Sequence, residues 1–464
     1  MTRPGKVDSC CRLLQNLTGV EDLEECRVTF DACRECCRTF LPTPDSLNPV
    51  VASLLHALAE RIMEQAGVAG CSPAAALHWR EVAEEHLYVE GVAASNPVPL
   101  LPRSSEGSLR IGLLGLHTAS GLGSLNRDLA TQLAIERWLV VEDPSRPTLP
   151  PLATIQQSTA TPSELAGIWA EFVADLDWVL FCERPFDWGL PGLARRTGTR
   201  VACIPMWEWL SPELPWLRDV DLMLCPTRAC FRLLRSWRAR FGFRWELQYV
   251  RWPVDLNRFQ FRQRTVCRRF LFVDGMGGAA AAVPGQSEGI PGRKGADVIA
   301  AAAALAPHVS IVVRTQRRRF PRMPANVEVL PETDEPSQLY EAGDVCVQPS
   351  YWEGLGLQLL ESQACGLPLV TTDAAPMNEA SPYRRLPCRA QRVELAGRRW
   401  WAHRSDPAEL ARTLASLDQQ EVSQASLAAR RQIERRHGWP SALRSIRGAL
   451  ARCAGLPGST TGSR

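Results

Sequence analysis

Short apolar runs and segments with helical spacing alternate along the chain from residue 109 onwards. Short apolar strands that alternate with amphipathic helices are typical of a parallel sheet with helices on both faces. Two such series follow one another, so the pattern predicts an α/β protein with two tandem, doubly wound, Rossmann-like domains facing a common cleft. The predicted strands are LRIGLLGL, WLVVE, DWVLFC, RVACIP and DLMLCP in the first series, and RRFLFVDG, HVSIVVR, NVEVL, DVCVQPS and LPLVTTD in the second.

The same pattern divides the chain into four parts. Ahead of the first series, segments with helical spacing predict a cysteine-rich helical appendage over residues 1–95, followed by the proline-rich linker ASNPVPLLPRSSEGS. The two Rossmann-like domains are expected over residues 108–255 and 256–440, with the boundary near VRWPVDLNRF. Residues 441–464 are interpreted as a C-terminal helix followed by a disordered tail.

Composition limits the size and the partners of the protein. Its 464 residues exceed what one compact core usually holds, and 45% of them are hydrophobic, as in ordinary globular proteins. The net charge of +3, from 53 basic and 50 acidic residues, indicates no polyanionic partner. The run Arg317–Arg319 is interpreted as a solvated face, so we expect no nucleic-acid binding.

The sequence shows neither a secretory signal nor an apolar stretch of about 18 residues. We therefore expect a cytoplasmic protein without a transmembrane segment. A peripheral contact with a membrane surface leaves little trace in a sequence, so that partner stays open.

Cysteines are concentrated in the predicted appendage, where six of the 16 fall within the first 37 residues. The spacing of Cys33 and Cys36 suits two thiolate ligands of one tetrahedral metal, and Cys11 and Cys26 would complete a four-sulfur site. This predicts a structural zinc ion or an Fe-S cluster. The alternative is a small helical cap with several buried thiols.

A glycine-rich turn follows the first strand of each series. In the first turn, Gly121 and Gly123 precede a helix, so backbone N-H groups can approach a phosphate or a sugar; the alternative is a plain glycine turn. The loop is too long for a dinucleotide-binding turn and lacks its Gly-x-Gly-x-x-Gly pattern. The second turn begins at Gly275 and ends with Arg293 and Lys294 directly before a helix. These two cations at the positive end of a helix dipole suit a diphosphate.

The stretch YWEGLGLQLLESQACGLPLVTTD holds two carboxylates around a glycine loop. Glu353 lies in the loop and Glu361 on the following helix, so one can bind sugar hydroxyls and the other a ribose diol. The amides of Gly354, Leu355 and Gly356 can bind phosphate oxygens. Together with the Arg293-Lys294 pair, the stretch predicts a nucleotide-sugar site. In the alternative interpretation Glu361 caps the helix or faces solvent.

The chain resembles the retaining glycosyltransferases of the GT-B fold, family 4, over roughly residues 109–440. The resemblance rests on EGLGLQLLESQACGLPLVTTD, which is similar to the Glu-x7-Glu region of that family, and on GRKGADVIAAAAAL, DLMLCPTRACFRLL and VRWPVDLNRF. It implies that Glu361 holds the donor ribose and Glu353 the transferred sugar. It further implies that Arg293 and Lys294 bind the leaving diphosphate, with the glycines of the first turn near the donor. The helix in residues 441–464 would then cross back to the first domain.

The implied reaction moves a sugar from a nucleoside diphosphate to a glycan, lipid or protein acceptor, with retention and without a divalent metal or other cofactor. The cationic pair would stabilise the charge on the departing diphosphate. The family often has a histidine near the reacting sugar, and His117 is the candidate for this role. The alternative is that His117 is only a structural histidine. Because Arg293 and Lys294 are adjacent, unlike in many members, Arg314 is an alternative phosphate ligand.

Several other residues and two other functions also remain open from the sequence. Glu183 and Asp187 either belong to the acceptor site or lie in a solvated loop. Trp207 and Trp209 either stack on a sugar or pack between the domains. The alternatives to a transferase are a scaffold that binds nucleotide sugar without transferring it, and a nucleotide-sugar epimerase.

Overall fold

The structure is a computed structural model that describes residues 109–275 and 292–455, except positions 145, 318, 319, 321, 332, 334, 335, 396 and 397. The predicted appendage, its ligand set Cys11, Cys26, Cys33 and Cys36, and the predicted tail lie outside the described residues. So do most residues of the second glycine-rich turn.

The first domain is built on a seven-stranded parallel sheet with the strand order β3-β2-β1-β4-β5-β6-β7. All five strands predicted for this series are present. The two additional strands, β3 and β7, lie at the sheet edges, where their polar residues meet solvent. The strands are β1 Ile111–Gly115, β2 Arg137–Val141, β3 Gln156–Ala160, β4 Trp178–Cys182, β5 Arg200–Ile204, β6 Leu222–Cys225 and β7 Glu246–Tyr249, and the helices are α1 Gly121–Gln132, α2 Leu165–Val173, α3 Leu190–Arg196 and α4 Arg228–Phe241.

The second domain repeats the arrangement with six parallel strands in the order β10-β9-β8-β11-β12-β13. Each half thus has the 3-2-1-4-5-6 order of doubly wound folds, in which ligands bind at the carboxyl ends of the strands. The elements are β8 Phe270–Gly275, α5 Ala296–Leu305, β9 Ile311–Thr315, β10 Val327–Pro331, β11 Val345–Gln348, α6 Leu357–Ala364, β12 Leu369–Thr372 and β13 Arg384–Leu386.

An antiparallel hairpin and three helices complete the described chain. The hairpin, β14 Cys388–Leu395 and β15 Arg398–Ser405, was not predicted because its arginine-rich strands lack the apolar alternation of a half-buried strand. The helices are α7 Pro407–Leu417, α8 Ser423–Arg436 and α9 Trp439–Cys453.

Helix α9 returns to the first domain. Gln248 of β7 donates a side-chain hydrogen bond to Ser445 (3.1 Å), and Arg447 donates to the carbonyl of Leu133 (3.1 Å). Apolar residues of α9 such as Ile446 belong to a core cluster that also contains β1 and α6 residues. The domains are therefore joined at the hinge by packing as well as by the chain crossing.

The described cysteines contribute to the cores of the sheets and show no metal site. All nine are free thiols, and seven of them are buried. No group of His, Cys, Asp and Glu within the described ranges could hold a metal ion. Nor does any helix in those ranges have the length and apolarity needed to cross a membrane.

Candidate functional site

The loop before α5 is held against the end of β11 by a close backbone contact. Gly295 has a φ of +81°, which favours glycine, and a Cβ there would lie 2.4 Å from the carbonyl oxygen of Pro349. The amide of Tyr351 donates to the carbonyl of Arg293 (2.7 Å). The backbone therefore places Arg293 and Lys294 beside the loop that carries Glu353.

Glu353 is the most heavily bonded acidic side chain of the site. It is 1% exposed, and its Oε1 accepts hydrogen bonds from Lys294 Nζ (2.7 Å), Ser350 Oγ (2.8 Å) and Gln358 Nε2 (2.7 Å). Burial opposes ionisation of Glu353, but the charges of Lys294 and Arg293 outweigh it and lower the pKa of this carboxyl. Burial also lowers the pKa of Lys294, against the opposing charge of Glu353. The structure thus brings Arg293, Lys294 and Glu353 together.

Lys294 is one of only two lysines in the chain, the other being Lys6, although the chain has 53 basic residues. Arginine thus serves at nearly every basic position. A lysine ammonium is a compact point charge, whereas a guanidinium is a planar fork. The compact ammonium of Lys294 reaches the buried carboxylate of Glu353 at 2.7 Å, and the scarcity of lysine is a sequence signal that singles out this residue.

The glycine loop after Glu353 faces the first domain. Gly356 has a φ of +75° and begins α6, and a Cβ on Gly354 would lie 2.4 Å from Glu208 Oε2. Leu355 between them is 9% exposed and belongs to the core cluster shared by both domains. The loop is therefore buried between the two domains, with the Glu208 carboxylate against the backbone of Gly354.

Two consecutive residues of the first domain reach this loop. Trp207 Nε1 donates to the backbone carbonyl of Glu353 (2.7 Å), and Glu208 Oε1 accepts from Arg293 Nη1 (2.7 Å). Trp207 thus packs between the domains, one of the two roles left open for it. Glu208 was missed by sequence reasoning, although it stands in the conspicuous segment MWEWL after the fourth predicted strand.

Glu361 lies on α6, partly exposed. Its Oε2 accepts a hydrogen bond from the hydroxyl of Tyr340 (2.6 Å), a residue that sequence reasoning did not select. Burial raises the pKa of Glu361, while the Tyr340 hydrogen bond and the charge of Arg258 oppose that shift. Glu361 is therefore a hydrogen-bond acceptor positioned by Tyr340, separate from Glu353.

The first glycine turn caps α1 and borders the cleft. Ser120 Oγ accepts from the amide of Gly123 (3.0 Å), so this N-H is already used within the turn. Gly121 is nearer the other domain, since a Cβ there would lie 3.8 Å from Leu357 Cδ1. His117 is 1% exposed beneath the turn, with its ring 4.6 Å from that of Trp138. Burial lowers its pKa, which favours a neutral imidazole.

The remaining sequence candidates have diverse surroundings. Arg314 donates to the carbonyl of Pro331 (3.0 Å), and Asp187 accepts from the amide of Gly189 (2.7 Å). Arg317, interpreted from sequence as part of a solvated run, instead makes a bidentate ion pair with the fully buried Asp274 at 2.7 and 2.6 Å. That interpretation was wrong for Arg317, because its buried partner is distant in sequence.

Glu183 follows β4 and has a φ of +68°. Burial raises its pKa to about 7, the charge of Glu208 adds to the shift, and Arg293 opposes it. The folded protein then binds more protons than the unfolded chain between about pH 4.5 and 7, so this group's contribution to stability is lost as pH rises through that window. This is the sign expected for an acid with a raised pKa.

We expect the melting temperature of Glu183→Gln to fall less than that of the wild type between pH 5 and 8. If the wild type loses about 1 kcal/mol of stability from Glu183 over this pH range and the variant does not, the two melting temperatures should diverge by roughly 2–4 °C. Thermal melts at several pH values measure the difference, with Glu213→Gln at an exposed carboxylate of the same domain as control. Parallel curves for wild type and Glu183→Gln would contradict the assignment.

The segment that carries most of this site matches a known protein family. Residues 293–417 match the family model described as glycosyl transferases group 1. This segment contains Arg293, Lys294, Glu353 and Glu361. No curated protein sequence matches the chain.

Three solved structures share the fold at low identity. Sucrose-phosphate synthase from Thermosynechococcus elongatus is 14% identical, with 74% of this chain and 98% of that chain covered and a TM-score of 0.51. HepE from Anabaena, in complex with UDP-glucose, is 14% identical, with 74% and 100% covered and a TM-score of 0.53. The lipopolysaccharide outer core galactosyltransferase WaaB, in its apo form, is 13% identical, with 74% and 99% covered and a TM-score of 0.50. The predicted GT-B fold is therefore confirmed.

Proposed function

We propose that this chain is a glycosyltransferase of the GT-B fold, of the family 4 type, that moves a sugar from a nucleoside diphosphate to a hydroxyl acceptor with retention. One observation carries the proposal: the cations Arg293 and Lys294, the buried Glu353 and the glycine loop meet between two Rossmann-like domains. They do so within the segment that matches the glycosyl transferases group 1 model.

Each group has a role that its surroundings support. Arg293 and Lys294 bind the diphosphate, and their charge is most valuable in the transition state, when the leaving group gains negative charge. Glu353 accepts hydrogen bonds from hydroxyls of the transferred sugar, in an orientation held by Ser350 and Gln358. Glu361 binds the ribose diol. Because two fixed cations neutralise the diphosphate, the proposed reaction requires no divalent metal.

A panel of nucleoside diphosphate sugars tested by thermal shift and calorimetry would examine the proposal. We expect one donor to raise the melting temperature of the wild type, because a ligand that binds only the folded state stabilises it. Glu361→Gln should weaken binding of that donor by about 1–3 kcal/mol, because it removes the charge from a hydrogen-bond acceptor of the ribose hydroxyls. Glu341→Gln, on the exposed surface just after Tyr340, is the matched control.

Turnover of the same donor separates a transferase from a binding scaffold. We expect slow donor hydrolysis without acceptor, the same rate with excess EDTA, and a product whose anomeric configuration, read by NMR, matches the donor. Tight donor binding without any hydrolysis or transfer would favour the scaffold instead. If no nucleotide sugar binds, the proposed function is wrong.

A further inference from the structure

Arg293 is already engaged by a carboxylate of the opposite domain. Its Nη1 lies 2.7 Å from Glu208 Oε1, and the two side chains are 23% and 7% exposed. Glu208 belongs to a short 3-10 segment, Trp207–Trp209, of the first domain. An anionic group thus occupies one of the two cations to which the proposed function assigns the donor diphosphate.

The second oxygen of Glu208 is in an unfavourable position. Glu208 Oε2 is buried and has no hydrogen-bond partner among the described residues. It lies against Gly354, close enough that a Cβ on this glycine would be 2.4 Å away. A buried carboxylate oxygen without a partner costs free energy, so the contact is one that a better-suited anion can replace.

Each of the two cations beside the loop faces one carboxylate. Arg293 faces Glu208 and Lys294 faces Glu353, each at 2.7 Å. A diphosphate carries more charge than a carboxylate and can contact Arg293 and the Gly354 amide together. It would enter this site only against the negative charge of Glu208.

We propose that Glu208 is an internal counter-ion that pairs with Arg293 and is displaced from it by the donor diphosphate. This inference rests on the proposed function. Donor binding then exchanges an interdomain ion pair for a phosphate contact, while the Trp207 hydrogen bond to the Glu353 carbonyl still joins the domains. Glu208 thereby lowers the affinity for free diphosphate and donor alike.

A different role for Glu208 would have the opposite sign. If its carboxylate only oriented Arg293 for the donor, its removal would weaken diphosphate binding. If the ion pair only joined the domains, its removal would lower stability and leave the diphosphate affinity unchanged or reduced. A gain of affinity on removing the charge shows that the Glu208 carboxylate opposes the diphosphate, which neither of these two roles predicts.

The test is calorimetric titration of the full chain with uridine diphosphate and with inorganic pyrophosphate. We expect Glu208→Gln, which keeps the shape and removes the charge, to bind both about tenfold more tightly, equivalent to about 1.4 kcal/mol. Glu208→Asp, whose shorter side chain holds Arg293 less closely, should fall between this variant and the wild type. Glu213→Gln, at an exposed position of the following turn, removes the same charge outside the cleft and should leave both affinities unchanged.

The outcomes separate this inference from the proposed function. Unchanged or weaker diphosphate binding by Glu208→Gln, with a wild type that binds, overturns the displacement role and leaves the proposed function intact. Failure of wild type and all variants to bind either probe or any nucleotide sugar overturns both. Tighter binding by Glu208→Gln, with a lower KM for the donor, supports the displacement role.

Discussion

Replacing Lys294 by methionine is expected to lower the rate of sugar transfer by about 10²- to 10³-fold, the usual effect of removing one preorganised group that stabilises transition-state charge. The ammonium lies 2.7 Å from Glu353 and next to Arg293, so its loss removes charge where the diphosphate departs. Lys294→Arg should also lose activity, because a planar guanidinium does not reproduce the point charge in the same pocket. Steady-state kinetics with the donor identified by screening measures both effects.

The same substitution also has a cost in stability. Without Lys294, the 1%-exposed Glu353 keeps its hydrogen bonds to Ser350 and Gln358 but loses its cation, which should lower the free energy of unfolding by about 3–5 kcal/mol. The double variant Lys294→Met with Glu353→Gln should recover much of that stability and none of the activity. Urea denaturation of the three proteins separates the two roles. Full activity in either variant would exclude Lys294 from the chemistry.

Replacing Gly295 by alanine is expected to lower the free energy of unfolding by about 2–4 kcal/mol and to abolish donor binding. The left-handed backbone alone costs a non-glycine residue about 1–3 kcal/mol. A Cβ would in addition lie 2.4 Å from the backbone oxygen of Pro349, which has no rotamer with which to move away. The loop that holds Arg293 and Lys294 must therefore shift away from Glu353.

Gly242 provides a control that separates the conformational cost of the substitution from the shift of the cationic loop. Gly242 ends α4 with a φ of +70°, and a Cβ there would meet nothing within 4 Å. Gly242→Ala should therefore show the conformational cost without the clash, and donor binding should be normal. Thermal melts and donor titrations of both variants provide the comparison. Equal effects of the two substitutions on donor affinity would show that the contact with Pro349 does not position the cations.

The strands with a strong local sequence pattern were predictable, and the strands with a weak pattern were not. Buried strands such as LRIGLLGL and DVCVQPS are apolar runs, and burial on both faces of a parallel sheet requires such runs. The edge strand QQSTA and the arginine-rich hairpin are partly solvated, so their sequences carry no equivalent signal. The pairing that makes them strands comes from neighbours distant in the chain.

In the candidate site, too, some residues were predictable from local sequence patterns and others were not. Glu353, Glu361, Arg293 and Lys294 stand in two short segments whose glycines and helix starts mark a ligand loop, so residue types and spacing were enough to select them. Their roles stay predictions, as do the predicted domain boundaries and the cysteine metal site. Glu208 and Tyr340 stand in segments without such glycines, and only their positions in space connect them with the site.

The sequence by itself determined the two-domain α/β architecture and selected the candidate residues Arg293, Lys294, Glu353 and Glu361, because periodicity, glycine and charge placement act over a few residues. Only the tertiary structure decided which opposite charges meet: Lys294 with Glu353, Arg317 with Asp274, and Arg293 with Glu208 across the cleft. The energy of an ion pair depends on the distance between the charges and on their burial. The partners of these three pairs are 59, 43 and 85 positions apart in the sequence, and only the folding of the chain brings them together. No local pattern carries that information.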